Sequence, residues 1–152
     1  MAIIITSMPN WPSVKYQGYV YPDLETCLEY NEIIIKDFNC NLILVNNSLI
    51  DQWEKELSYS TLRVGVVKHI ATCKKINPDD YDVILCSPSQ INSLVNVYNR
   101  NVRWMRFIFD EPAHVRIRSM TTLNARIILL VTATPVLVLD NQPGGSYVRN
   151  LF

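Results

Sequence analysis

Apolar runs that end in polar groups are the feature of this chain that most restricts its fold. Residues 106–114 read Arg-Phe-Ile-Phe-Asp-Glu-Pro-Ala-His, and residues 127–135 read Ile-Ile-Leu-Leu-Val-Thr-Ala-Thr-Pro. Parallel strands covered on both faces have such continuous apolar runs, and ligands bind outside the carboxyl ends of these strands. The acids and hydroxyls that follow the two runs therefore predict a site at one edge of a parallel sheet, and they indicate nucleotide chemistry.

The order of predicted elements favours an α/β fold. About six short strands are predicted, most of them separated by helical or loop segments. Strands that alternate with helices indicate a parallel sheet with right-handed crossovers and flanking helices. The predicted strands are residues 2–6, 41–45, 62–67, 81–86, 107–109 and 127–132.

Three helices are predicted between these strands. The spacing of apolar residues from Asp23 predicts a helix that ends near Asn39. A second helix has Ser48 as its candidate N-cap, with Leu49, Trp53 and Leu57 at helical spacing. A third has a helical face made of four apolar or aromatic residues, namely Ile91, Leu94, Val95 and Tyr98.

Length and composition indicate one domain inside a cell. The 152 residues and 49% hydrophobic content suffice for one layered core, which we assign to residues 1–140, with 141–152 as a tail or linker. The longest apolar stretches are far shorter than the roughly 20 residues that span a bilayer, so no membrane segment is predicted. The start lacks secretory features, and four scattered cysteines favour reduced thiols in the cytoplasm.

Charge is balanced overall but uneven along the chain. The formal net charge is zero, with an excess of five acids in residues 1–60 and an excess of five basic residues in 61–126. Clustered arginines are able to contact phosphates, and they equally suit a solvated face. Both alternatives stay open for Arg100, Arg103, Arg106, Arg116, Arg118 and Arg126.

Four segments, taken in order, resemble the first motor domain of superfamily 2 helicases and translocases, most closely the helicase-like proteins of large nucleocytoplasmic DNA viruses. Residues 41–57 look like motif Ia and its helix, and 81–90 are similar to the segment that leads into motif Ib. Residues 110–114 resemble motif II, the Walker B box, and 132–135 resemble motif III. The resemblance covers roughly 41–135 and implies a RecA-like P-loop NTPase fold.

This resemblance implies roles for the polar groups at the strand ends. Asp110 would hold Mg²⁺ through water, and Glu111 would orient or deprotonate the water that attacks ATP. His114, Thr132 and Thr134 would couple the nucleotide site to the nucleic-acid face. The structural alternatives are a solvated turn for the acids and loop capping by the threonine hydroxyls.

The resemblance also implies a nucleic-acid partner, with DNA favoured over RNA. Residues of motifs Ia and Ib contact the phosphodiester backbone of one strand, and such contacts do not read sequence. As a structural alternative, Ser48 caps a helix and Ser87 begins one, which is compatible with phosphate binding because both use free amides. The matching positions are Asn46, Asn47, Ser48, Ser87 and Ser89.

The sequence departs from the family pattern in three respects. No Gly-x-x-x-x-Gly-Lys-[Ser/Thr] loop is found, and residues 7–18 stand where that phosphate-binding loop is expected. A second motor domain is not among the 152 residues. In motif II, Pro112 and Ala113 separate Glu111 from His114, one residue more than the family pattern has.

Three hypotheses follow. The favoured one is a fragment or shortened relative of an ATP-dependent helicase or translocase that does not turn over ATP by itself, and that works with a second motor domain or other subunits. The second is a non-catalytic interaction or structural subunit, as in a viral transcription or virion assembly, located in the host cytoplasm or virion. The third is an unrelated doubly wound domain that binds another phosphate-bearing ligand.

Overall fold

A five-stranded parallel sheet forms the centre of the molecule. The computed structural model describes residues 35–98, 102–115, 117 and 120–134. The spatial order of the strands is β2-β3-β1-β4-β5. The predicted strand at 2–6 lies outside the described residues, and the other five are present. They are β1 (Lys36–Leu44), β2 (Val64–Val67), β3 (Val83–Cys86), β4 (Val102–Asp110) and β5 (Ala125–Val131).

Helices lie on both faces of the sheet. The main helices are α1 (Ile50–Leu57), α2 (Ile70–Cys73) and α3 (Ile91–Tyr98). Successive residues of a strand point to opposite faces, and here Leu42 packs in the cluster that contains Ile91 of α3, while Ile43 packs with Ile50 of α1. The predicted parallel α/β architecture with flanking helices is therefore confirmed. None of the helices in the described part of the chain has the length and apolar character that crossing a bilayer requires.

The connections diverge beside the central strand. After β1 the chain crosses one face of the sheet through α1 and reaches β2 at one end of the strand order. After β3 it crosses the opposite face through α3 and reaches β4 in the other half of the sheet. Loops that leave neighbouring strands in opposite directions open a crevice at the carboxyl ends of those strands. Because all the described strands are parallel, these ends share one rim, which we call the carboxyl edge.

The predicted helix to Asn39 is wrong at its end, because β1 already begins at Lys36. The apolar spacing that suggested a helix is satisfied in a strand, where Phe38 pairs in register with Trp104 of β4. The Phe38 ring lies 5.3 Å from the Trp104 ring and 5.5 Å from the Tyr98 ring, centroid to centroid. The earlier part of that predicted helix, up to residue 34, lies outside the described residues.

The described arginines of the 100–126 cluster are neither a solvated face nor placed at the carboxyl edge. Asp37 accepts hydrogen bonds from Arg103 Nε at 2.8 Å and from Arg126 Nη2 at 2.6 Å, at the amino ends of β1, β4 and β5. Arg106 is buried and donates to Asn41 Oδ1 at 3.1 Å. The solvated-face alternative is wrong for these three arginines, because Arg103 and Arg106 are buried and the Arg126 side chain is only 13% exposed. The other clustered arginines, Arg100, Arg116 and Arg118, lie outside the described residues.

Candidate functional site

The acidic pair and the threonine pair meet at the carboxyl edge. Asp110 ends β4 and pairs in register with Val131, the last residue of β5. The next backbone amide, that of Glu111, donates to the Val131 carbonyl oxygen at 2.8 Å. Thr132 Oγ1 then donates to Glu111 Oε2 at 3.0 Å. The two segments lie side by side because they follow neighbouring parallel strands.

The loop at 132–134 grips the Glu111 carboxylate. Ala133 N donates to Glu111 Oε1 at 3.2 Å, so both carboxylate oxygens are engaged by this loop. Thr132 Oγ1 also accepts from Thr134 N at 3.0 Å, which is the local capping expected of a threonine hydroxyl. Glu111 has φ 48° and ψ 58°, a left-handed conformation that costs a non-glycine residue about 1–2 kcal/mol.

Asp110 is held by a residue of α1. Trp53 Nε1 donates to Asp110 Oδ2 at 3.0 Å. The pKa of Asp110 lies above its ordinary value, chiefly because the carboxyl group is partly buried and also because the Glu111 carboxylate is adjacent. The hydrogen bond from Trp53 opposes this shift. The two neighbouring acids thus differ in their hydrogen bonding. The Glu111 carboxylate accepts from two donors in a loop, whereas the Asp110 carboxylate accepts from one donor in a helix.

The donor set fits a hydrated magnesium ion and not a metal held by the protein alone. Among the described residues no three His, Cys, Asp or Glu side chains are grouped closely enough to hold a metal ion. Magnesium keeps several waters and is usually bound through one or two carboxylates together with substrate phosphates. Within the described residues Oδ1 of Asp110 makes no hydrogen bond, and none of their buried side-chain oxygens lacks a partner, so Oδ1 is accessible to the water shell of a cation.

A cleft of about 310 Å³ opens at the same rim, and we call it the edge cleft. Its walls come from the turns that follow β1, β3 and β4, which is where the divergent connections predict a crevice. Three of the residues predicted to contact nucleic acid line it, together with the histidine predicted to couple the nucleotide site to the nucleic-acid face. The lining residues are Asn46, Asn47, Pro88, Ser89, His114 and Val115.

The turn after β1 presents amides to the edge cleft. Asn46 Oδ1 accepts from Ser48 N at 3.4 Å, so Asn46 and not Ser48 caps the short 3-10 turn Asn47–Leu49 that leads into α1. The sequence placed this cap two residues late, because Asn and Ser are equally good caps and only the backbone shows which one flanks the helix. Ser48 is exposed beside the cleft-lining asparagines.

The turns after β3 and β4 supply the opposite wall. Ser87 is fully buried, and its Oγ lies 3.1 Å from Ser89 Oγ, so Ser87 is placed behind the wall and Ser89 on it. His114 ends the 3-10 turn Pro112–His114, and its backbone amide donates to the Glu111 carbonyl oxygen at 3.0 Å. The additional residue in motif II is accommodated by this turn, and the histidine is exposed in the edge cleft.

Comparison with known proteins identifies the architecture. No protein-family model matches the chain, and no curated protein matches it. A solved structure, the Sulfolobus solfataricus SWI2/SNF2 ATPase core in complex with dsDNA, matches with 25% sequence identity and a TM-score of 0.51. The match covers 65% of this chain and 22% of that one, so the chain spans about a fifth of its structural neighbour. The parallel sheet with flanking helices matches the fold of a RecA-like domain.

Within this RecA-like fold, the sequence did not predict one polar contact at the site, which Trp53 makes. The sequence places Trp53 only at helical spacing with Leu49 and Leu57. Its ring packs against the buried cluster on the α1 side of the sheet. The indole N–H reaches Asp110 across 57 positions of sequence, and no local pattern carries a signal for such a contact.

Proposed function

We propose that this chain is a helicase-like ATPase domain that acts on nucleic acid, with the carboxyl edge as its working surface. The observation that supports this most directly is that residues from three separate motifs line one edge cleft beside the acidic pair. The similarity to an ATPase core supports it independently. We also propose, from the motif sequences, that the chain is related most closely to the helicase-like proteins of large nucleocytoplasmic DNA viruses.

In this proposal the two acids act on nucleotide phosphates. Asp110 holds the water shell of Mg²⁺ through its open oxygen, and Glu111 orients or deprotonates the attacking water. Glu111 has both oxygens engaged by the loop at 132–134, so it becomes available to a water only when Thr132 and Ala133 release it or share it. The threonine loop therefore controls whether the acid is free to act, which is a coupling role for Thr132 and Thr134.

Nucleic acid is proposed to lie in the edge cleft. Asparagine amides, a serine hydroxyl and an imidazole are donors that suit phosphate oxygens, and such contacts position a backbone without reading bases. The exposed Asn46, Asn47, Ser89 and His114 supply these groups. The dsDNA in the Sulfolobus complex supports DNA over RNA as the partner.

Binding of a labelled DNA duplex, followed by fluorescence anisotropy, tests this function. The double variant Ser89→Ala/His114→Ala is expected to bind about 30-fold more weakly, because the two lost polar contacts contribute about 1 kcal/mol each. The matched control is Thr61→Ala/Asn96→Ala, which removes two exposed polar groups outside the edge cleft. Equal affinity for both double variants, or no binding by the unmodified chain, would contradict the proposal.

A second candidate function is a non-catalytic interaction or structural subunit, as in a viral transcription or virion assembly. The grip on Glu111 favours it, because a carboxylate with both oxygens bonded to a neighbouring loop also serves to tie two loops together. Calorimetry with Mg²⁺-ATP separates the two candidates. Binding that is lost in Asp110→Asn supports the ATPase domain, whereas capture of partner proteins without any nucleotide binding supports the structural subunit.

A further inference from the structure

Helix α1 connects the edge cleft to the acidic pair. The turn that leads into α1 contains Asn46 and Asn47, which line the edge cleft. Trp53 lies on the first turn of the same helix, and its indole reaches Asp110 at 3.0 Å. One short element thus contacts both parts of the candidate site.

We propose that Trp53 is a positioning residue for Asp110. The indole N–H holds Oδ2 of the carboxylate, which fixes the side chain and leaves Oδ1 for the water shell of a divalent cation. This inference rests on the function proposed above and adds to it a residue that no motif resemblance assigned. Partners that orient metal-binding side chains in this way typically contribute 10–100-fold to metal affinity.

The surroundings of Trp53 suit this role. Its ring packs against the apolar cluster that contains Ile50, Leu57 and Ile108, so the packing fixes the direction of the N–H bond. Indole nitrogen only donates hydrogen bonds, and a bond to an ionised carboxylate is stronger than one between neutral groups. Since the loop at 132–134 engages Glu111, Asp110 is the member of the pair that keeps an open oxygen.

Manganese alone is a suitable probe because it is paramagnetic and replaces magnesium. In the full chain, Mn²⁺ is expected to broaden the indole ¹H–¹⁵N resonance of Trp53, and Asp110→Asn is expected to abolish this broadening. Trp53→Phe is expected to weaken Mn²⁺ binding about tenfold, measured from the paramagnetic resonance signal of free Mn²⁺. The control Tyr59→Phe changes an exposed aromatic residue and should leave the affinity unchanged.

A second substitution separates the lost N–H from lost packing. Benzothienylalanine at position 53 keeps the shape of the bicyclic ring but lacks the N–H group, and it should weaken Mn²⁺ binding as much as phenylalanine does. Unchanged affinity in this variant overturns the positioning role while the cation site stands. Absence of indole broadening in the unmodified chain overturns the cation site itself, and the inference with it.

Discussion

At the scale of single residues, Glu111 combines a strained backbone with a fully engaged side chain. Its left-handed conformation directs the carboxylate to Thr132 and Ala133, and these two bonds offset the backbone cost. Strain of this kind is found where the surrounding structure determines one conformation, and such places are frequently functional sites.

Substitutions at Glu111 test this strain. Both Glu111→Ala and Glu111→Gly remove the carboxylate, but only glycine adopts φ 48° without a Cβ penalty. We expect the glycine variant to be more stable than the alanine variant by about 1 kcal/mol, because relief of strain exceeds the extra entropy of the unfolded chain. Urea unfolding measures the difference, and an alanine variant of equal or greater stability would count against left-handed strain.

The sequence predicted some site residues better than others. Asp110 and Thr132 could be placed together because both directly follow apolar runs, and parallel strands align their carboxyl ends. Trp53 and Ser87 could not, since a hydrogen bond across the fold and complete burial both depend on residues far away in sequence. The helix cap was off by two residues for a different reason, because three neighbouring polar residues are chemically interchangeable there.

At the scale of elements, Asp37 ties the amino ends of three strands together. It lies on β1 and contacts Arg103 on β4 and Arg126 on β5, and the hydrogen bond from Arg103 holds the pKa of Asp37 below its ordinary value. The side chains of the three residues are only 10–13% exposed. The sequence shows only a cluster of like charges, because Asp37, which neutralises them, lies more than sixty residues away.

Replacement of Asp37 by asparagine should destabilise the fold in a pH-dependent way. At neutral pH we expect a loss of about 2 kcal/mol, because two largely buried guanidinium groups lose their carboxylate. A depressed pKa in the fold means that the stabilisation is complete above the ordinary value and is lost as the pH falls through the depressed one. The difference in unfolding free energy between the unmodified chain and the asparagine variant should therefore be constant above roughly pH 5. It should shrink as the pH falls below the ordinary pKa of 3.8.

Urea unfolding at a series of pH values measures this difference. Asp79→Asn is the matched control, because Asp79 pairs with Lys36 in an exposed position where an ion pair contributes less than about 1 kcal/mol. A stability difference that does not change with pH would show that Asp37 does not act through its charge.

Gly65 on β2 allows the segment after α2 to pack closely on the sheet. A Cβ at this position would lie 2.8 Å from Ile76 Cδ1 and 3.1 Å from the Tyr81 ring. Gly65→Ala is therefore expected to cost about 1–3 kcal/mol through overpacking. Addition of Ile76→Val removes Cδ1 and should recover part of that loss in urea unfolding. Additive effects of the two substitutions would exclude the contact as the cause.

At the scale of the whole molecule, fold class was easier to predict than strand order. Apolar runs such as that before Asp110 identify covered parallel strands without any knowledge of their neighbours. The order β2-β3-β1-β4-β5 depends on which face of the sheet each connection crosses, and the apolar pattern does not indicate that face. Strand β4 is longer than predicted, because Arg103 and Arg106 are buried by Asp37 and Asn41 and do not interrupt it.

The isolated chain is expected to show negligible ATP hydrolysis. Phosphate binding in helicase-like ATPases uses backbone amides and a lysine from a glycine-rich loop, and this sequence has no Gly-Lys dipeptide. Phosphate release under steady-state conditions, with and without a DNA duplex, measures the activity. Sustained turnover that disappears in Asp110→Ala would contradict the expectation.

The most direct test of the proposed working surface is to map DNA binding on the full chain by ¹H–¹⁵N correlation spectra. Addition of a DNA duplex should shift the resonances of Asn46, Asn47, Ser89 and His114 most, because these residues line the edge cleft. Shifts confined to the amino ends of the strands, around Asp37 and Asp79, or no shifts at the edge cleft, would contradict a nucleic-acid site at the carboxyl edge.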